Sequence, residues 1–270
     1  MILGACKLCL RQKELQVSHF LPAALYKSLL QREVTNPSPY LMSGTKTIET
    51  SRQIKDHVLC VDCERRFNEN GERWVLAQMA REGEFLLQET LRKATPIRSV
   101  PGLTTYAAGR IPEIDVDKLE YFAVSVFWRA AVHDWTPPHG EKYERLQLGP
   151  YKEQLRQYLL GIAPFPPNVI TMTSVYEEND FVRSMFPPSA GEPRPEEGRP
   201  YSFLIPGIQF SMTLGKRLKP ETRELSSHPE PERRIFMSPL VSAQVKFLSE
   251  KLRRKQIQNQ SKAKKSSRQR

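Results

Sequence analysis

All four cysteines of the chain occur in two Cys-x-x-Cys pairs. Cys6 and Cys9 form the first pair, and Cys60 and Cys63 form the second. At this spacing two thiolates bind one metal ion from a tight turn, so two pairs complete a tetrahedral site. Redox dithiols and free buried cysteines are the alternatives. The sequence therefore predicts a structural Zn2+ site that is closed by four protein ligands and is not itself catalytic.

A histidine lies between the two cysteine pairs. Ser18 and His19 end a short predicted strand at residues 15–19, and a helix is predicted at residues 22–30, with proline in its first turn. An imidazole titrates near neutral pH, which suits it to accept a proton from water. His19 is therefore either a general base presented by a metal-held scaffold or a histidine that packs beside the cysteines.

The order of these elements resembles the HNH, or His-Me finger, endonuclease family of the treble-clef, zinc-supported type. The matching segments are Cys6-Lys7-Leu8-Cys9, Val17-Ser18-His19-Phe20-Leu21-Pro22 and Val58-Leu59-Cys60-Val61-Asp62-Cys63-Glu64. Family members typically have Cys-x-x-Cys, a strand ending in Asp-His-hydrophobic-x-Pro, a variable loop, and Leu-Cys-x-x-Cys followed by His or Asn. The resemblance covers residues 6–75 and implies a metal-dependent nuclease that cleaves DNA in preference to RNA. Such modules commonly serve in bacterial defence or in mobile elements.

The resemblance implies catalytic roles for two histidines. In this family the histidine at the strand end activates water for phosphodiester cleavage, and that position falls on His19. His57 lies near the place where the family often has a polar residue that orders the catalytic histidine. The alternative for His57 is an exposed loop histidine.

The resemblance also implies a catalytic Mg2+ or Mn2+ ion that stabilises the leaving oxygen. The two ligand positions of the family fall on Ser18 and Glu64. If the segment is helical, Asn68 and Glu72 share a face with Glu64 and would complete the site. The chain departs from the family in having Ser18 where an Asp is usual and Glu64 where His or Asn is usual. Ser18 offers at best a weak hydroxyl ligand, whereas the Glu64 carboxylate suits magnesium. The alternative role of Glu64 is a carboxylate favoured by the positive end of a helix.

The net charge of +11 is concentrated at the C-terminus. Residues 251–270 contain nine Lys or Arg residues and no acidic residue. This segment has almost nothing to bury and is predicted to be disordered, either as a solubilising tail or as a phosphate-binding arm. The candidate nucleic-acid-binding residues are Arg65, Arg66, Lys251, Arg253, Arg254 and Lys255. For Arg65 and Arg66 the alternative is a solvated helix face.

Composition and patterning predict an α+β fold in three parts. Residues 1–95 are predicted to form the ββα-metal, treble-clef zinc module. Residues 96–250 are predicted to form a mixed α/β domain of unassigned role, through which a protein partner could bind. Residues 251–270 form the tail. No residue in 96–250 belongs to a chemical motif: Trp128, Arg129 and Trp135 are predicted to serve core and surface packing, and His133, His139 and His228 lie in no metal-ligand pattern.

Local patterns predict the individual elements of the fold. Spacings of three and four between apolar residues predict helices at 117–132 and 150–160, and residues 60–91 are predicted to be mostly helical. Apolar runs predict strands at 169–173, 201–205 and 208–214. Residues 34–55 are predicted as a polar loop or weak hairpin, and residues 93–115 as a linker or excursion. Residues 186–200 are predicted as a loop, and residues 241–252 as a helical stripe.

The sequence argues against a membrane protein. It contains no run of about 18 apolar residues, and its N-terminus lacks the basic and apolar regions of a secretory signal. We therefore expect a cytoplasmic protein. The nuclease resemblance implies that its partner is nucleic acid. The alternative function is a non-catalytic zinc-binding adaptor that uses the same scaffold to bind nucleic acid or a protein.

Overall fold

The computed structural model describes residues 1–30, 40–43, 46–49, 53–81, 84–136, 143–177, 185–194, 197–216, 218–226 and 232–239. The predicted helical stripe at 241–252, the basic tail, His139 and His228 lie outside the described residues. Within them the chain has the predicted α+β composition.

The described strands are β1 (Ile2–Ala5), β2 (Gln12–His19), β3 (Tyr40–Ser43), β4 (Lys46–Glu49), β5 (Lys55–Cys60), β6 (Arg98–Val100), β7 (Leu103–Ala107), β8 (Val169–Tyr176), β9 (Phe186–Ala190), β10 (Arg199–Ile205), β11 (Ile208–Leu214) and β12 (Arg234–Ser238). The α-helices are α1 (Ala23–Leu30), α2 (Val61–Phe67), α3 (Arg73–Gln78), α4 (Leu86–Lys93), α5 (Val116–Val132), α6 (Tyr151–Leu159) and α7 (Pro220–Glu224). A π-helical turn (Asn68–Glu72) joins α2 to α3.

The N-terminal part is a three-stranded antiparallel sheet in the order β1-β2-β5. Helix α2 begins directly after β5, and Cys60 is its N-cap residue. Strands β2 and β5 followed by α2 therefore form a ββα arrangement. The segment between the two strands is closed at its base, where the Phe20 N–H donates to the Ile54 carbonyl at 2.9 Å.

The helical segment after the second cysteine pair changes its winding in the middle. The prediction of a mostly helical 60–91 is confirmed for α2, α3 and α4, with a break between Gln78 and Leu86. Within the π-helical turn, Gly71 is buried against α5, where an added Cβ would lie 3.0 Å from the backbone nitrogen of Phe122. π-helical turns are frequent at functional sites, and this one directs Glu72 toward α5.

The C-terminal part is a seven-stranded sheet in the order β6-β7-β12-β8-β11-β10-β9. All neighbouring strands are antiparallel except β12 and β8, which are parallel. Helix α5 is buried along nearly its whole length and contacts both this sheet and the π-helical turn. The helix therefore packs against both the seven-stranded sheet and the π-helical turn.

One continuous hydrophobic cluster runs from Cys6 to Met237. It includes Phe67 from α2, Phe122 and Trp128 from α5, and Phe203 from β10. The predicted boundary at residue 95 falls between α4 and β6, yet buried residues on both sides belong to the same core. None of the helices in the described part of the chain is both long and apolar enough to cross a membrane.

Several predicted loops contain strands. The predicted linker at 93–115 is wrong, because β6 and β7 form a hairpin whose turn has Gly102 at φ +79°. The predicted loop at 186–200 is wrong at both ends, which belong to β9 and β10. Prolines are tolerated in β9 because it is the last strand of the described sheet and need not donate along its outer side. Of the two predictions for 34–55, the hairpin is confirmed by the antiparallel pairing of β3 with β4.

Candidate metal centre and histidine site

The two cysteine pairs meet in one cluster. The Sγ atoms of Cys6, Cys9, Cys60 and Cys63 all lie within 4.8 Å of one another, and those of Cys9 and Cys60 are 3.9 Å apart. Cys9 is half-buried and the other three are buried. The arrangement can hold a metal ion with four sulfur ligands, as the spacing predicts.

Backbone hydrogen bonds shape the turn that presents the first pair. The Leu10 N–H donates to the Cys6 carbonyl at 2.8 Å, and Leu10 adopts a φ of +62°, which reverses the chain before β2. The Lys7 N–H donates to the Val58 carbonyl at 3.1 Å, and the Cys60 N–H donates to the Cys6 sulfur at 3.3 Å. These bonds fix the first pair against the strand that carries the second.

Burial and contacts among the cysteines oppose ionisation of two thiols in the cluster, those of Cys60 and Cys63. Hydrogen bonding from Cys63, assisted by backbone N–H groups, lowers the pKa of Cys6 to about 4. The same contact with Cys6, together with burial, raises the pKa of Cys63, and burial raises that of Cys60. A bound divalent ion would remove this conflict, because a coordinating thiol is deprotonated outright.

His19 lies at the end of β2, half-buried and paired in register with Lys55 of β5. Burial lowers the pKa of His19, and the cations of Lys55 and Arg129 lower it further, while a hydrogen bond with Gln53 raises it. A pKa below the ordinary value of 6.5 leaves the imidazole neutral at neutral pH. A neutral imidazole has a free nitrogen lone pair and can accept a proton.

Ser18 points to the other face of the sheet, toward α2. It is fully buried, and its Oγ accepts from the Leu59 N–H at 3.1 Å and hydrogen-bonds with Glu64. Burial raises the pKa of Glu64, opposed by the nearby charge of Arg129. In the described part of the chain, Glu64 Oε1 has no hydrogen-bond partner. The structure thus brings Ser18 and Glu64 together, with Ser18 buried and Glu64 half-buried.

Arg129 of α5 lies at the centre of this polar group. Its Nη1 donates to the His19 carbonyl at 2.8 Å, and its Nη2 donates to Glu72 Oε1 at 2.6 Å. The guanidinium lies 5.1 Å from the centre of the Phe67 ring. Burial alone would lower the pKa of Arg129, but Glu72 and Glu64 raise it, so the side chain stays charged. Arg129 was predicted to serve packing, and its ion pair is what the prediction missed.

The other predicted site residues lie at the edge of this group or away from it. Asn68 is exposed at the C-terminal end of α2, and Arg65 and Arg66 are exposed on the same helix. His57 lies with its Nδ1 4.0 Å from Asp56 Oδ1, and it is Gln53 that hydrogen-bonds to His19. The four tail residues proposed to bind nucleic acid lie outside the described residues.

Sequence reasoning missed two contributors to the site, Arg129 and Gln53, and a separate surface pair of Asp56 with His133, at 2.8 Å. A signal for Arg129 exists in the sequence, since it is the single charged residue in the apolar run 121–132 of a predicted helix. A charge in such a run is rarely buried unless paired. Gln53 and the Asp56–His133 pair have no such signal.

The donor sets differ in how they suit a metal. The four sulfurs suit a soft or borderline ion such as zinc. The oxygens predicted for magnesium do not form an open set, because the Ser18 hydroxyl is buried and hydrogen-bonded, Asn68 is exposed, and Arg129 already pairs with Glu72. No protein-family model, no curated protein and no solved structure matches this chain, so the residues themselves carry the argument for function.

Proposed function

We propose that the chain is a nuclease that hydrolyses phosphodiester bonds, preferentially in DNA, with His19 as the general base. The observation that carries the proposal is the placement of His19, a half-buried imidazole with a lowered pKa, at the end of a strand tied to a four-cysteine cluster. Such a histidine is ready to take a proton from water at neutral pH.

The ion that we propose for the four cysteines is Zn2+. Four thiolates at Cys-x-x-Cys spacing are the usual ligands of structural zinc, and no position is left open for substrate. In small finger peptides such zinc contributes ~10–16 kcal/mol to folding. Here it would hold β1, β2 and the start of α2 together, and so fix the strand end that carries His19.

In the proposed reaction His19 takes a proton from water as the water oxygen bonds to phosphorus. The bond from phosphorus to the leaving oxygen breaks, and that oxygen takes a proton from solvent. Gln53 orients the imidazole through its side-chain hydrogen bond, and Arg129 holds the His19 carbonyl and thus the strand end. Lys55, exposed and opposite His19 in the register of β2 and β5, is placed to bind the substrate phosphate. Arg65 and Arg66 on α2 would contact neighbouring phosphates.

The test is cleavage of plasmid, single-stranded DNA and RNA by the zinc-loaded protein, alongside His19→Ala. We expect His19→Ala to lower the cleavage rate by about 100-fold or more, because a positioned general base contributes that much. His133→Ala is the matched control, since it removes an imidazole that pairs with Asp56 at the surface, and we expect near-normal cleavage. Cleavage that survives His19→Ala would reject the mechanism.

A second function is favoured by one observation: Ser18 and Glu64 face a buried centre that already contains a cation, Arg129. This arrangement suits a non-catalytic zinc-supported adaptor that binds nucleic acid or a protein. Binding of DNA without cleavage under any metal condition would support the adaptor. A gel-shift titration on the same substrates measures that binding.

A further inference from the structure

We infer that the guanidinium of Arg129 takes the place of the divalent cation at the ββα site, so that Glu64, Glu72 and the His19 carbonyl form an internal cation site already filled by the chain. The resemblance to the nuclease family would put magnesium or manganese at this position. The inference concerns occupancy of the site by a cation, and it stands whether or not the protein cleaves nucleic acid.

The oxygen atoms around Arg129 are of the kind that a hard cation takes. Two of its nitrogens donate to two different oxygens, the His19 carbonyl at 2.8 Å and Glu72 Oε1 at 2.6 Å. Glu64 lies close enough to interact electrostatically with the same guanidinium. Carbonyl and carboxylate oxygens are magnesium ligands, and a planar guanidinium with several fixed donors also binds such oxygens. Arg129 bonds to two of them and acts on Glu64 through charge alone.

The surroundings of the guanidinium exclude a hydrated ion. Arg129 is 1% exposed, and the Phe67 ring lies beside the guanidinium. Ser18, which the family pattern would make a ligand, is 0% exposed and hydrogen-bonded to the Leu59 N–H. Magnesium usually retains several of its waters in proteins, so a site this closed suits an arginine and not that ion.

The cation is delivered by the C-terminal part of the chain. Arg129 lies 110 residues after His19 in the sequence, in a helix that packs against the π-helical turn carrying Glu72. The residues that match the nuclease pattern therefore do not make a complete site without α5.

Manganese binding to the full-length, zinc-loaded protein tests the inference. Electron paramagnetic resonance of free Mn2+ measures how much of the ion each variant takes up. We expect wild type and Glu72→Gln to bind Mn2+ equally weakly at concentrations up to about 1 mM. We expect Arg129→Ala to bind one Mn2+ at least about tenfold more tightly than wild type, and Glu72→Gln added to it to abolish that binding.

Arg156→Ala is the matched control. Arg156 also donates to a backbone carbonyl, that of Leu8 at 2.7 Å, and pairs with a glutamate, Glu153, but outside the site. We expect this variant to gain no Mn2+ site, with its zinc content measured to show that the cysteine cluster is intact.

Two results would overturn the inference. One is a Mn2+ ion bound by wild type and lost in Glu72→Gln or Glu64→Gln. The other is a folded Arg129→Ala protein that binds no more Mn2+ than wild type. If Arg129→Ala does not fold, wild type is compared with Glu72→Gln. Mn2+ uptake by wild type that depends on Glu72 contradicts the inference, and equal, weak uptake by the two proteins supports it. A wild-type protein that cleaves no nucleic acid in a parallel assay would reject the nuclease proposal. The Mn2+ binding results would be unaffected.

Discussion

Burial, the Gln53 hydrogen bond and nearby cations together determine the pH at which His19 becomes protonated. Burial and the nearby cations lower the pKa of His19, and the bond with Gln53 opposes them. We therefore expect the acid limb of the cleavage profile to have its midpoint below 6.5, and Gln53→Ala to move that midpoint to still lower pH. Rates measured from pH 5 to 8, and an NMR titration of the His19 ring, check both shifts. A midpoint that rises in Gln53→Ala would contradict this assignment of the hydrogen bond.

Glu120 is a buried carboxyl within α5 that plays no part in the proposed reaction. It accepts hydrogen bonds from the Tyr158 hydroxyl at 3.1 Å and from Thr171 Oγ1 at 3.4 Å. Burial raises its pKa from 4.5 to about 7. The native state therefore favours the protonated form, which adds stability that is fully present below pH 4.5 and is lost as the pH rises through about 7.

From that shift we expect Glu120→Gln to flatten the dependence of stability on pH. The shift of the pKa corresponds to a loss of at most about 3 kcal/mol in the free energy of unfolding of wild type between pH 4.5 and 8. Urea denaturation across this range measures it. Glu113→Gln, at an exposed position, is the control and should keep the wild-type dependence. An identical slope in Glu120→Gln and wild type would show that Glu120 does not titrate in this way.

At the scale of elements, the π-helical turn and α5 are in contact through Gly71. A Cβ at this position would lie 3.0 Å from both the backbone nitrogen and the Cβ of Phe122, and that helix backbone cannot move aside without disturbing the core. We expect Gly71→Ala to lower the free energy of unfolding by about 1–3 kcal/mol, as for overpacked cores, despite the better helix propensity of alanine. Thermal and urea denaturation measure the change.

Gly109→Ala is the control for this substitution. The nearest atoms to its added Cβ are those of the Arg233 side chain, at 3.4 Å, which is ordinary van der Waals contact. We expect little change in stability. Equal losses at Gly71 and Gly109 would mean that the contact with α5 is not the cause.

At the scale of the whole molecule, the shared core makes the N-terminal part dependent on the rest. Phe67 packs edge-to-face on Tyr121 and Trp128, each with ring centres 6.2 Å apart, and Arg129 bonds to Glu72. A fragment of residues 1–95 would expose Phe67 and leave Glu72 without its partner. We expect it to stay unfolded even with zinc, whereas residues 1–239 fold. NMR dispersion and protease resistance distinguish them, and a well-dispersed, zinc-bound 1–95 fragment would contradict the prediction.

Local sequence patterns predicted the helices and strands whose formation depends on residues close together in the sequence. The apolar spacing of α5 and the runs of β8, β10 and β11 are local signals, and all were predicted within a few residues. β9 was missed because it contains two prolines, and β6 and β7 because prolines and glycines flank them, as in loops. Only pairing in the sheet shows that these segments are strands. The role of Arg129 was missed for the same reason, because its partners lie far from it in sequence.

The hydrogen bond between Phe20 and Ile54 has a consequence for how such chains can change. It ties the two ends of the segment between β2 and β5 together, one register position from His19. In general, each doubling of the length of a closed chain segment adds only about 0.6 kcal/mol to the free energy of closure. Insertions between α1 and β5 would therefore leave His19 in place while adding new surface next to it. Descendants of this scaffold would then differ in the surface beside His19 while keeping the strand end that carries it.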